Sequence, residues 1–172
     1  MAAEEEVAEH VHHAHEPYDK AVAGTMAIIA ALLAIVSVLG QHFTTEKVLN
    51  QQLSSDQWAY YQAKDIRRYV AQVAEDDLVE LKAPPAVLQK YTKDIDRYKS
   101  QTEQIQEKAR EYEREVKKAG AQADRLHLGE VFLEIAIVLS SLAILLKRKP
   151  LFVAGVGSAV IGVLISVTAY WA

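Results

Sequence analysis

The sequence predicts an all-α integral membrane protein with three transmembrane helices and a long antiparallel coiled-coil hairpin between the first and the second. Residues 21–40 and 151–172 contain no charged residue, and residues 126–146 contain only two acidic ones and a histidine besides apolar and small residues. A helix of roughly 20 apolar residues crosses a ~30 Å hydrocarbon core. Almost all of the charge lies outside these three runs, and a proline pair divides the long charged segment.

Residues 1–19 form an acidic, His-rich tail, which we expect to be flexible. Imidazole and carboxylate groups together suit Zn, Ni or Cu(II), so the tail is a candidate metal site. The alternative is a solvated tail that binds metal only adventitiously, and we expect no resident cofactor. The candidate ligands are His10, His12, His13 and His15.

The first predicted span covers residues 20–42. A cleaved signal peptide is the alternative for this run. The run follows an acidic segment rather than a basic one and exceeds the length of a typical signal core. These features favour a retained transmembrane helix.

The segment 43–127 carries 15 Lys and Arg and 15 Asp and Glu, so it is highly charged and neutral overall. Pro84 and Pro85 must break a helix near its middle, which predicts two arms. Apolar or small residues in the second arm recur at alternating spacings of three and four, as in a coiled-coil seam. These are Leu88, Tyr91, Ile95, Tyr98, Thr102, Ile105, Ala109, Tyr112, Val116, Ala119, Ala123 and Leu126.

The first arm is less regular and shows two stripes of apolar and aromatic residues. Two stripes suggest two partners, namely the second arm and something outside the chain, and a second copy is the simplest choice. We therefore predict a homo-oligomer with Trp58, Tyr61 and Tyr69 as contact residues. In the alternative, these rings only cap the seam within one chain. One stripe contains Leu49, Leu53, Tyr60, Ala63, Val70, Ala74, Leu78 and Leu81, and the other contains Trp58, Tyr61, Ile66, Tyr69 and Val73.

The second and third spans are predicted at 128–147 and 150–172, joined by the basic turn 147–149. Short loops rich in Lys and Arg stay in the cytoplasm, which places this turn and the N-terminus inside and the hairpin outside. Basic residues before the second span argue the other way, but long segments cross largely regardless of charge. Tyr170 and Trp171 are candidates for an interfacial aromatic anchor.

The string Ser55-Asp56-Gln57-Trp58-Ala59-Tyr60-Tyr61-Gln62-Ala63-Lys64-Asp65-Ile66-Arg67 resembles a bacterial membrane family catalogued as domain of unknown function 4337. The order of span, charged hairpin and two spans joined by a basic turn is also similar to that family. The resemblance covers roughly residues 17–172 and implies a multi-pass protein of a bacterial inner (plasma) membrane. It brings no established activity and no catalytic residue.

Glu130 and Glu134 lie four residues apart at the start of the second span, with His127 three residues before Glu130. Ionisable groups at membrane depth are costly and often functional, so the three are candidates for proton or cation handling. The alternative is that both carboxylates lie hydrated or paired in the headgroup region. Small residues at four-residue spacing in the third span predict a helix-packing face. They are Ala154, Ser158, Gly162 and Ser166.

Composition excludes several functions. The absence of cysteine excludes disulfides and thiol chemistry, and a net charge of -4 argues against nucleic acid as a partner. No hydrolase, zinc-protease or P-loop motif occurs, and we do not expect an enzyme. The leading hypothesis is a structural or interaction role in the lipid bilayer, with the hairpin as an oligomerisation arm or as a docking arm for a protein partner. The alternatives are an oligomeric proton or cation conduit and metal handling by the tail.

Overall fold

The protein is built from three long helices in a computed structural model that describes residues 17–171. Helix α1 runs from Pro17 to Glu80, α2 from Pro85 to Leu145, and α3 from Lys149 to Val167, followed by a 3-10 turn over Thr168–Trp171. Each of the three contains a segment long and apolar enough to cross a membrane. Residues 17–171 contain no strand, so the fold is all-α as predicted. The histidines of the tail lie outside the described residues.

The turn between α1 and α2 depends on the left-handed backbone of Lys82, whose φ is 51°. The amide of Ala83 donates to the carbonyl of Leu78, and the amide of Lys82 donates to that of Val79. These two bonds form a Schellman motif, which satisfies the last carbonyls of a helix. Pro85 then begins α2, where a proline loses no hydrogen bond.

Replacing Lys82 by glycine is expected to stabilise the protein by about 1 kcal/mol, because the left-handed conformation strains a side chain but not glycine. Thermal unfolding of the detergent-solubilised protein measures the change. Lys90→Gly is the control, since Lys90 is an exposed position inside α2 and glycine there should lower stability. Equal effects of the two substitutions would contradict the strain at Lys82.

The chain divides into two compact units. The three-helix unit consists of the residues up to Thr44 and those from Ala119 onward, and the two-helix unit is Thr45–Lys118. A core of apolar side chains joins the helices of the three-helix unit, including Ile29, Val36, Leu126, Leu133, Ala136, Ala159 and Ala169. Many large apolar side chains of this unit are exposed, among them Ile28, Ile35, Val38, Val138, Leu145, Val153 and Leu164. Such a surface suits contact with lipid.

Polar and aromatic contacts hold both ends of the three-helix unit. At one end the rings of Tyr18 and Phe152 meet edge to face, with centroids 6.1 Å apart. At the other end Arg125 Nη1 donates to the carbonyl of Thr168 at 3.1 Å, after the last turn of α3. Trp171 is exposed at this end. A cation at a helix C-terminus is favoured by the helix dipole, so Arg125 stabilises the end of α3.

The two-helix unit pairs α1 and α2 in antiparallel directions. Ser54 contacts Ala109, Lys64 contacts Gln101, and Glu75 contacts Thr92, so later residues of α1 meet earlier residues of α2. The predicted seam positions from Leu88 to Val116 are all buried or half-buried here, and the last three seam residues, Ala119, Ala123 and Leu126, are buried in the three-helix unit.

Candidate functional site

The outward side of α1 in the two-helix unit carries a row of apolar residues. We call it the apolar face, and it consists of Ala59, Ala63, Ile66, Val70 and Val73. All five are exposed, and the three branched side chains are 62%, 64% and 60% exposed. The spacings of four, three, four and three are those of a heptad seam.

The side of α1 that faces α2 is mostly polar. Its buried and half-buried positions also alternate by three and four, and we call them the inner seam. The inner seam contains Asn50, Ser54, Gln57, Tyr61, Lys64, Arg68, Ala71, Glu75 and Leu78. The α1 helix therefore presents a mostly polar inner seam to α2 and also carries the apolar face on its outward side, whereas an ordinary amphipathic helix buries its apolar stripe.

Hydrogen bonds and a ring contact make the polar inner side of α1 specific for α2. Trp58, next to the inner seam, donates from Nε1 to Glu113 Oε1 at 2.8 Å. Lys64 Nζ donates to Gln101 Oε1 at 3.1 Å and lies 5.8 Å from the centroid of the Tyr98 ring. Polar groups in a seam fix the register of two helices at some cost in stability.

The three predicted oligomer-contact residues lie on different sides of α1. Trp58 and Tyr61 are half-buried toward α2, and their rings meet edge to face with centroids 5.5 Å apart. Tyr69 is 56% exposed beside the apolar face. The oligomer contact stays a prediction, and of these three residues Tyr69 is placed to take part in it.

The outer side of α2 contrasts with that of α1. Every exposed position of α2 from 89 to 118 holds a polar or charged residue. This surface is hydrophilic throughout. The exposed apolar side chains of the unit are therefore concentrated on α1.

A second candidate site lies in the three-helix unit, where His127 joins two helices. Its Nδ1 is 3.2 Å from Glu130 Oε2 on the same helix. Its Nε2 is 3.1 Å from Thr44 Oγ1 on α1, and Thr44 Oγ1 donates to the carbonyl of Gly40 at 2.9 Å. These contacts form a carboxylate–imidazole–hydroxyl network, which we call the Glu130–His127–Thr44 network.

The number of protons on the three side chains decides which hydrogen bonds the Glu130–His127–Thr44 network contains. The Thr44 hydroxyl has one proton, and donation to Gly40 leaves only its lone pairs for His127. An imidazole with a proton on each nitrogen donates to both Thr44 and the Glu130 carboxylate. A neutral ring satisfies both contacts only if Thr44 releases Gly40 or Glu130 carries the proton. The contacts are therefore compatible with three arrangements of protons.

Gly40 allows this ring to approach α1. A Cβ at Gly40 would lie 3.1 Å from His127 Cε1 and 3.3 Å from Nδ1, which is closer than ordinary contacts. The imidazole therefore packs directly against the backbone of α1. Neither Gly40 nor Thr44 was a candidate in the sequence, because both lie more than 80 residues from His127.

Glu134 is not part of the Glu130–His127–Thr44 network. Its side chain is exposed and has no hydrogen bond or ion pair to any residue within 17–171. The apolar neighbours Val131, Ile135 and Val138 are exposed around it. Its proton- or cation-handling role stays a prediction.

The predicted small-residue face lies mostly between α3 and α2. Ser158 Oγ donates to the carbonyl of Phe132 at 2.7 Å, and Gly162 and Ser166 are buried, whereas Ala154 is exposed. The sequence did not single out Gly129, which lies opposite Gly162. A Cβ on either glycine would lie 2.7 Å from the other's carbonyl oxygen. Backbone therefore meets backbone at this crossing.

The metal hypothesis concerns residues outside this description, since His10, His12, His13 and His15 precede Pro17. Among residues 17–171, no group of three or more His, Asp or Glu side chains could hold a metal ion.

Comparison with known proteins gives one result for the family and none for function. A family model described as "Domain of unknown function (DUF4337)" matches residues 18–172. No curated protein and no solved structure matches the chain.

Proposed function

The chain belongs to the DUF4337 family, and we propose that it is a non-enzymatic assembly protein whose three spans hold it in a membrane while its two-helix unit docks another helix. The segments of α1, α2 and α3 that are apolar enough to cross a bilayer support the membrane part of the proposal. The basic turn at Lys147–Lys149 favours a cytoplasmic location for that end. The two-helix unit then lies on the opposite side.

One observation supports the docking role most strongly, namely that the apolar face of α1 is exposed while its inner seam is mostly polar. A helix that served only to pair with α2 would place its apolar residues toward α2. Large contiguous apolar patches on a protein surface mark interaction sites more often than isolated apolar residues do. The heptad spacing of Ala59 to Val73 specifies the partner as an α-helix. The two helices of the unit are proposed to pair as a coiled coil.

Photo-crosslinking in native membranes tests the docking role. A benzophenone side chain at Ile66 is expected to form a covalent adduct with protein, because the docked helix covers this position. The same group at Ser100, exposed on the polar side of α2, is the matched control and should form none. An Ile66 probe that yields no more adduct than the Ser100 probe would contradict docking on this face.

Proton handling is a second candidate function, favoured by the Glu130–His127–Thr44 network. The close crossing of α2 and α3 leaves little space for a proton pathway within one three-helix unit. A conduit would therefore have to run along an axis between several copies of the protein. Glu130→Gln removes the negative charge but keeps the shape of the side chain. This candidate predicts that the substitution abolishes proton flux into liposomes containing the protein, measured with a trapped pH dye. Equal flux in wild type, variant and empty liposomes would reject it.

A further inference from the structure

We propose that the apolar face of α1 binds the same face of other copies of this chain, in parallel and in register. This inference rests on the proposed docking function and names the partner. The exposed face has the period of a coiled coil over two heptads, from Ala59 to Val73, so its occupant is a helix with the same period. The chain itself supplies such a helix.

Membrane anchoring decides the direction of pairing. Copies held by the same three spans share one orientation, and a rotation axis normal to the membrane relates them. Each seam residue then faces its own counterpart: Ile66 faces Ile66 and Val70 faces Val70. Alternating spacings place Ala63 and Val70 at one type of seam position and Ala59, Ile66 and Val73 at the other. Branched residues at both types favour three or four strands over two.

The charges beside the apolar face permit self-pairing. In a parallel pair, the flanking position of Gln62 meets that of Arg67 in the second copy, and Tyr69 meets Ala74. Neither contact joins like charges. The next seam positions outward are Asp56 and Asp77, which would face their own counterparts and repel. Self-pairing is therefore limited to the stretch between them.

Other surfaces of the two-helix unit fit the apolar face poorly. The exposed side of α2 is polar at every position from 89 to 118, so α2 of a second copy cannot bury the face. A seam of two heptads is small for a freely diffusing pair. Confinement of all copies to one membrane raises their effective concentration, and this higher concentration offsets the weak affinity of a small interface.

Cysteine cross-linking tests the inference, and the chain has no native cysteine to remove. Ile66→Cys and Val70→Cys are each introduced into the full chain and oxidised in native membranes. Counterparts that face each other across a parallel seam lie within disulfide range. Ser100→Cys is the control, since Ser100 neighbours the Gln101 that contacts Lys64 and is exposed on α2. We expect about tenfold more disulfide-linked dimer at Ile66 and Val70 than at Ser100.

Ala63→Cys provides a variant with almost no change in size, so loss of folding cannot hide the result. Dimer yields at the three seam positions that do not exceed the Ser100 yield would overturn self-pairing. If the benzophenone at Ile66 then captures a different protein, docking stands and only the identity of the partner is wrong. If the benzophenone captures nothing either, both the self-pairing and the docking proposals fail.

Discussion

Replacing Gly129 by alanine is expected to lower the stability of the three-helix unit by about 3 kcal/mol, because the new methyl group has no space. A Cβ at Gly129 would overlap Ser166 Oγ and would lie 2.7 Å from the carbonyl oxygen of Gly162. The hydroxyl can rotate away, but the backbone oxygen can move only if α3 moves. Thermal unfolding in detergent, followed by circular dichroism, measures the loss.

Gly157→Ala is the matched control in α3. A Cβ at Gly157 meets nothing within 4 Å, and alanine is a better helix former than glycine. We therefore expect Gly157→Ala to unfold at the wild-type temperature or slightly above it. If Gly129→Ala also unfolded at the wild-type temperature, the backbone contact between α2 and α3 would be wrong.

Replacing both Ile66 and Val70 by glutamate is expected to dissociate the assembly without unfolding the chain. Both side chains are exposed in the single chain, where a surface substitution costs little. In an apolar interface the same carboxylates would be buried without partners, which costs several kcal/mol for each assembly contact. The mass of the detergent-solubilised particle should fall to that of one chain, while the helical circular dichroism signal is unchanged.

A double variant on α2 controls for added charge. Ser100→Glu and Gln104→Glu introduce two carboxylates at the same four-residue spacing on an exposed polar surface. Their particle should retain the wild-type mass. An unchanged mass for the Ile66 and Val70 variant would show that the apolar face is not an assembly contact.

The sequence predicted the seam of α2 because its residues are mostly apolar. From Leu88 to Leu126 the alternation of three and four is visible in the residue types themselves, and each position is buried or half-buried. The helix break was also visible, because proline cannot continue a helix, and α1 ends at Glu80 and α2 begins at Pro85.

The inner seam of α1 could not be read in the same way. Polar residues such as Lys64 and Arg68 occupy it, and hydrophobic periodicity does not detect a seam held by hydrogen bonds. Apolar residues that the sequence grouped into two stripes are instead divided between the two sides of α1: Leu53, Trp58, Tyr61, Ala74 and Leu78 are half-buried, whereas Leu49, Tyr60, Ala63, Ile66, Tyr69, Val70, Val73 and Leu81 are exposed. Polar residues that recur at alternating spacings of three and four are the signal that could have indicated the inner seam.

The candidate proton site was predictable only within one helix. His127 and Glu130 are three residues apart, so their contact follows from helical geometry. Thr44 is 83 residues from His127, and its approach depends on how α1 packs against α2. Glu134 was grouped with Glu130 because residues four apart share a helix side, but packing half-buries Glu130 and leaves Glu134 exposed.

Spin-label accessibility along α1 tests the central claim most directly, since single nitroxide labels can be attached to cysteines in a chain that has none. In native-like membranes, a label at Ile35 should collide with dissolved oxygen and be shielded from a water-soluble nickel complex. A label at Ile66 should be shielded from both, because protein covers it, and a label at Ser100 should collide freely with the nickel complex. Free collision of the nickel complex at Ile35, or equal collision at Ile66 and Ser100, would contradict a membrane-held protein that assembles through α1.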